Sequence, residues 1–191
     1  MNVVAVWIKD AARRSGLPFA IARPTMYLDN LLKPSARTEI IVHGVLAPPI
    51  PAGQRIAWTS ADDCAEAALM LLERGAMGGD HRIAGPESLT GDELASRVSA
   101  GIGRAVLYRG QPRDEFEREL YAAMGAGIGW HVASKFRYFA AHPDDAYTIL
   151  ADPFGPQAGL EGFMPTDVKT WTQAHYADFS GAGETGMSRN P

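Results

Sequence analysis

Apolar and polar positions change rhythm along this chain, moving between helical spacing and short unbroken apolar runs. Val4, Ile8, Ala11 and Ala12 recur at helical spacing, and "SGLP" follows with Gly16 placed to end the helix and Pro18 beyond it. "FAIAR" is an apolar run between prolines and predicts a buried strand. "TMYLDNLL" predicts another turn or two of helix. "KPSARTEIIVHGVLAPPIPAGQ" is broken by Pro and Gly, which predicts a long irregular connection with short extended pieces, a kind of segment that often carries binding surfaces.

"RIAWTSADDCAEAALMLLERG" predicts an extended run ending at Thr59, then a helix opened by a Ser60 to Asp63 capping pattern and closed by Gly75. Its expected apolar face is Cys64, Ala65, Ala68, Leu69, Leu71 and Leu72. "DHRIAGP" predicts a short strand. A capping box from Thr90 to Glu93 opens the next helix, which ends on Gly103, and "AVLYRG" predicts another strand. "PRDEFERELYAAMG", "WHVASKFRYFAAH" and "PTDVKTWTQAHYADF" predict helices, with "GAGIG" at Gly125 to Gly129 as a hinge or helix break and "FGPQAG" as a loop. Strands alternating with helices define the α/β class. The expected organisation is one domain over residues 1–178 and a disordered tail over 179–191, where "SGAGETGMSRNP" has little to bury.

Composition narrows the partners. A chain of 191 residues has room for one domain, and a net charge of -4 without a basic block argues against nucleic acid and anionic membranes. No apolar run approaches the roughly 20 residues that span a bilayer, and "MNVVAVWIKDAARR" lacks the order of a signal peptide, so a cytoplasmic location is expected. A single cysteine excludes an internal disulfide and a multi-cysteine zinc site, and Cys64 in its helical run reads as an inert, buried thiol.

Candidate chemistry is sparse. "GAGETG", Gly181 to Gly186, has dinucleotide-turn spacing but no strand before it and no room for a helix after it. His43, His81, His131, His142 and His175 are scattered without metal-ligand spacing, so no metal site is expected. His43 in "IVHGV" is the candidate general base, with an exposed loop histidine as the alternative. Asp62 and Asp63 are explained by the helix start they occupy. Trp130, Phe136, Tyr138 and Phe139 form an aromatic cluster that either lines a hydrophobic cavity or packs in the core.

Three stretches together resemble the NmrA-like branch of atypical short-chain dehydrogenases/reductases: "RRSGLPFAIARPTMYLDNLL", "AWTSADDCAEAALMLL" and "HRIAGPESLTGDELASRVSAGIGRAV". "MPTDVKTWTQAHYADF" looks like the closing helix of that family. The resemblance covers the C-terminal part of the family fold. It implies an incomplete Rossmann-like arrangement of late sheet strands with a helical substrate-binding subdomain, lacking roughly 100 residues of nucleotide-binding sheet at about 30 per βαβ unit. The superfamily's Tyr/Lys pair has no counterpart, since no Tyr precedes Tyr27 and the family's Lys position falls near Ala5 rather than Lys9.

The resemblance further implies a ligand-facing strand end at Pro24, Thr25 and Met26, which would meet the cofactor if NAD(P)H is bound. Tyr27 and Asn30 follow at i and i+3, where a ring and an amide share one face toward a substrate pocket, with core packing for Tyr27 and a solvated or capping role for Asn30 as the alternative. The resemblance implies that Trp130, Phe136 and Phe139 line a substrate cavity in the C-terminal subdomain. The expected function is binding of a hydrophobic metabolite by a truncated or split member of an NAD(P)-dependent oxidoreductase family, without a cofactor site of its own. The alternatives are a cofactor-independent isomerase or cyclase using His43 and an Asp, or a non-catalytic regulatory subunit. Faces left open by the missing sheet imply a homo-oligomer or a full-length relative as partner.

Overall fold

The strand and helix order follows the apolar rhythm closely. In the computed structural model, which describes residues 10–180, the six strands are β1 (Ile21–Pro24), β2 (Met26–Tyr27), β3 (Val45–Leu46), β4 (Trp58–Thr59), β5 (Asp80–Ile83) and β6 (Leu107–Tyr108). The helices are α1 (Pro34–Thr38), α2 (Ala61–Glu73), α3 (Gly91–Ile102), α4 (Arg113–Ala141), α5 (Pro143–Leu150), α6 (Val168–Ala174) and α7 (Tyr176–Phe179). The glycine motif at Gly181 to Gly186, the rest of the expected tail and most of the first expected helix lie outside the described residues. Near the end of the described residues, Phe179 is 3% exposed and packs into the core.

The six strands pair in parallel, β1 with β5, β2 with β4, and β3 with β6, and one isolated antiparallel bridge joins Ile56 to Leu89. Parallel partners need long connections, and α2 lies on the one that carries the chain from β4, paired with β2, to β5, paired with β1. The run 21–27 changes partner at Thr25, whose N–H donates to Ile83 at 3.1 Å while its hydroxyl donates to the Ala57 carbonyl. On the far side of β5, the Gln157 side chain behaves like a strand residue. Its amide donates to Arg82 O at 2.7 Å and its carbonyl accepts from Arg82 N at 3.1 Å, which covers that edge.

The main core gathers Met26, Leu28, Ile40, Ile56, Trp58, Leu94, Val98 and Trp171 between the strands and the α3/α6 pair. A second cluster, Ala67, Leu71, Ile83, Leu160 and Phe163, sits under α2.

The structure corrects three expectations. Residues expected to be irregular form α1 and a wide helical turn over Glu39–His43, because Pro34 starts a helix well and Ile40 at 0% exposure anchors it to the core. The apolar face expected for α2 is only partly buried: Leu69 and Leu72 are 55% and 63% exposed, while Asp63, Ala67 and Leu71 face inward. The helix is rotated because Asp63 is bonded inside. Finally, α5 was not expected at all, and its Ala146 and Leu150 are buried.

The "GAGIG" break is a sharp reversal. Gly125 has φ 76° and ψ 160°, a region open essentially to glycine alone. It divides α4 into two legs, 113–124 and 126–141. In a straight helix Phe116 and Phe136 would stand about 30 Å apart at 1.5 Å per residue. Instead their rings meet edge to face at 5.1 Å, and Arg137 reaches Glu117 at 2.7 Å. Thus α4 is an antiparallel helical hairpin, with Gly129 seated against the Tyr121 ring.

Candidate functional site

A cavity of about 360 Å3 opens where β2, two loops, both legs of the α4 hairpin and the end of α5 converge. Its apolar walls are Met26, Ile50, Phe136, Phe139, Ala140 and Leu150, and its polar groups are Gln54, Gln111 and Arg113. The volume falls within the range of small-molecule sites.

Each wall has a local cause. Met26 is presented by β2 as it leaves its pairing with Trp58. The loop 48–52 is pressed onto β6 and the chain after it by two bonds. Tyr108 donates its hydroxyl to Ile50 O at 2.7 Å and Gln111 N donates to Pro48 O at 3.1 Å, beside the bond from Arg109 N to Leu46 O at 2.8 Å that ties this chain to β3. Burial pushes the Tyr108 hydroxyl well above its ordinary range, with the Asp92 charge adding to it, so the phenol stays a donor. Phe136 and Phe139 stand at i and i+3 on the second hairpin leg and therefore share one face. Leu150 is tied in by its carbonyl, which accepts from Ala57 N at 2.7 Å.

The structure brings together Met26, Phe136 and Phe139 from the expected site residues. It does not bring the others. Met26 and Tyr27 are successive strand residues and point to opposite faces. Tyr27 turns toward α2 and contacts the Cys64 thiol. Burial first, then that hydrogen bond and the nearby charges, raises its hydroxyl pKa to about 12. The same burial pushes the Cys64 thiol up. Asn30 lies in the turn Leu28–Leu32, where its carbonyl accepts from Lys33 N at 3.4 Å. Trp130 is 53% exposed and carries the Arg137 guanidinium over its ring at 5.7 Å. His43 ends the helical turn Glu39–His43 with its side chain 58% exposed, 4.0 Å from Glu39 and outside the cavity wall. Among the described residues, no three His, Cys, Asp or Glu side chains gather as a metal site. No helix among them is long and apolar enough to cross a membrane.

Lys135, which sequence reasoning passed over, sits beside the cavity. Its Nζ lies 3.7 Å from Met26 Sδ and 4.9 Å from the centre of the Phe136 ring. Loss of water around this ammonium, and then the Lys33 charge, hold its pKa below the usual 10.5. A lysine whose folded pKa is lowered costs stability at neutral pH, and the cost fades as pH rises through the folded value. Lys135→Met is therefore expected to raise Tm slightly at pH 7, with the gain shrinking toward pH 10. Thermal melts across that range check it, and a gain that grows with pH contradicts it.

A dinucleotide requires a strand-to-helix turn whose first N–H groups are free for the pyrophosphate. After β4, Ser60 Oγ accepts from Asp63 N at 3.0 Å and Asp29 Oδ2 accepts from Ala61 N at 2.8 Å. After β5, Thr90 and Glu93 close a capping box. At the strand end Pro24 has no N–H, and both donors of Thr25 are used. These residues do not fit a dinucleotide pyrophosphate.

The fold is that of NAD(P)-binding, Rossmann-like reductases, NmrA-like proteins among them. The NADPH-dependent quinone oxidoreductase of Escherichia coli superposes with a TM-score of 0.65 at 19% identity, covering 90% of this chain and 60% of its own. NmrA, a negative transcriptional regulator solved with NAD, superposes with a TM-score of 0.63 at 16% identity over 92% of this chain and 57% of its own. In sequence, the chain is 30% identical over 177 residues to the NAD(P)H azoreductase of Xenophilus azovorans, covering 91% of this chain and 58% of that protein. The chain thus spans a little over half the length of these relatives. No protein-family model matches it.

Proposed function

We propose that this chain binds a flat, hydrophobic small molecule in the cavity between β2 and the α4 hairpin, as the substrate side of an NAD(P)H-dependent oxidoreductase. The observation that carries this reading is the wall of Met26, Phe136 and Phe139 at the carboxyl end of a parallel strand, where open α/β folds hold their ligands. An azoreductase and a quinone oxidoreductase among the relatives are in keeping with a flat, unsaturated guest.

The lining residues bind and orient. Phe136 and Phe139 offer ring faces and edges, Met26 a polarizable sulfur, and Gln54 and Gln111 fix polar substituents. In the relatives' chemistry the nucleotide supplies the hydride.

Calorimetric titration with 2-methyl-1,4-naphthoquinone tests the reading. Saturable binding is expected, weakened about tenfold in Phe139→Ala, since the loss of a partly buried ring from a contact costs about 1.4 kcal/mol. Unchanged near-ultraviolet circular dichroism would show that the fold is kept. Equal affinity in the two proteins removes the cavity as the binding site.

A further inference from the structure

The polar end of the cavity is charged in one sense only. Its wall includes Arg113 and no Asp or Glu, in a protein whose net charge is -4. The Arg113 side chain makes no hydrogen bond or ion pair among the described residues. Arginines on the same hairpin behave differently: Arg118 is held by Asp114 at 3.0 Å and Arg137 by Glu117 at 2.7 Å. Two acids of the same leg have partners of their own, Asp114 in Arg118 and Glu119 in the amide of Gln111 at 2.8 Å. Glu115 is exposed and does not line the cavity. A second cation, Lys135, stands behind the Met26 and Phe136 wall.

An apolar chamber with an unpaired guanidinium on its rim suits an amphiphile of one kind. From this we infer that the cavity selects an aromatic anion, with its ring against Phe136 and Phe139 and its carboxylate or sulfonate on Arg113. Arg113 is then the specificity-determining residue. The guanidinium fork matches a carboxylate through two parallel N–H bonds, which a neutral amide cannot reproduce. Because Arg113 is exposed, its contribution is sensitive to salt. This inference rests on the cavity being the binding site.

The experiment compares 2-naphthoate with 2-naphthamide, which have the same ring and differ in charge, by calorimetry on the full chain at low salt. The parent protein is expected to bind naphthoate about tenfold more tightly, as a charge-assisted bond at the rim allows. Arg113→Gln is expected to abolish that preference, with naphthamide affinity falling far less than naphthoate affinity, and unchanged near-ultraviolet circular dichroism shows that the fold is kept. Arg113→Lys keeps charge without the fork and is expected to retain part of the preference. If both compounds bind equally to the parent, and Phe139→Ala weakens both, the cavity reading stands and the role of Arg113 is overturned. If neither compound binds while 2-methyl-1,4-naphthoquinone does, the aromatic-anion reading is overturned and the cavity reading stands; if none of the three binds, both fail.

Discussion

Gly85→Ala is expected to leave no soluble, folded protein. Gly85 follows β5 and lies directly over β4, where an added Cβ would stand 1.8 Å from the Trp58 carbonyl oxygen and 2.9 Å from its carbonyl carbon. The obstacle is backbone, so no side-chain rotation relieves it. Nor can either segment move alone. Gly85 N donates to Ala57 O at 3.4 Å and Gly85 O accepts from Phe154 N at 2.9 Å, while Trp58 is in register with Met26 in the strand that forms one cavity wall. A displacement of more than an ångström would break these contacts together. The cost is on the order of 4 kcal/mol or more, which is a large part of the 5–15 kcal/mol that holds a typical domain folded. Soluble yield and far-ultraviolet circular dichroism measure the outcome. A soluble variant that melts with the parent would show that β4 and the turn at Gly85 do not meet this closely.

Asp63→Ala has the second largest expected effect. Asp63 is 3% exposed, and its carboxylate accepts from the Thr166 amide at 3.1 Å and from the Thr166 hydroxyl at 2.9 Å. The pair joins the first turn of α2 to the segment that leads into α6, across 103 residues of chain. Alanine removes two charge-assisted bonds and strands a part-buried N–H and hydroxyl. The expected loss is about 2–4 kcal/mol, or roughly 4–16 °C in Tm at about 2–4 °C per kcal/mol for a domain of this size. Asp63→Asn keeps the shape and one carbonyl acceptor, so about half of that loss is expected. Urea denaturation of the three proteins resolves the series, and a loss under about 0.5 kcal/mol for alanine would mean that Thr166 finds water as good a partner.

Asp63 also shows where reading the sequence stopped. Local signals were legible, because their partners are neighbours in the chain. The Thr90 and Glu93 capping box forms as its spacing demands, and Gly125 breaks α4. Asp63, by contrast, sits at a helix start where its dipole role is a sufficient local explanation. Nothing nearby announces a partner at Thr166. The consequence is a helix rotated so that Leu69 and Leu72 face outward, against their hydropathy.

The same distinction runs through the candidate site. Phe136 and Phe139 were legible as an aromatic stripe, and Met26 as a strand end. Tyr27 was set beside Met26, although strand alternation sends it to the other face. Arg113 was hidden in a charged helix start, and its significance lies in what it lacks, which only the packed structure shows. The loop 48–52 reads as punctuation in sequence and becomes a wall through bonds to residues some 60 positions away.

The hairpin at Gly125 gives the cavity a particular evolutionary leverage. Its aromatic wall belongs to a helical leg held at one end by a hinge, and a helix turns by about 100° for each residue added. A single insertion between Trp130 and Lys135 would leave the strands and the caps of α2 and α3 in place while turning the rest of the second leg, whose Phe136 and Phe139 pack against the main core. It would carry Lys135 and Tyr138 into the places now held by Phe136 and Phe139. One indel in the second leg would exchange two ring positions of the cavity wall for an ammonium and a phenol, and so re-specify the guest on the same set of strands.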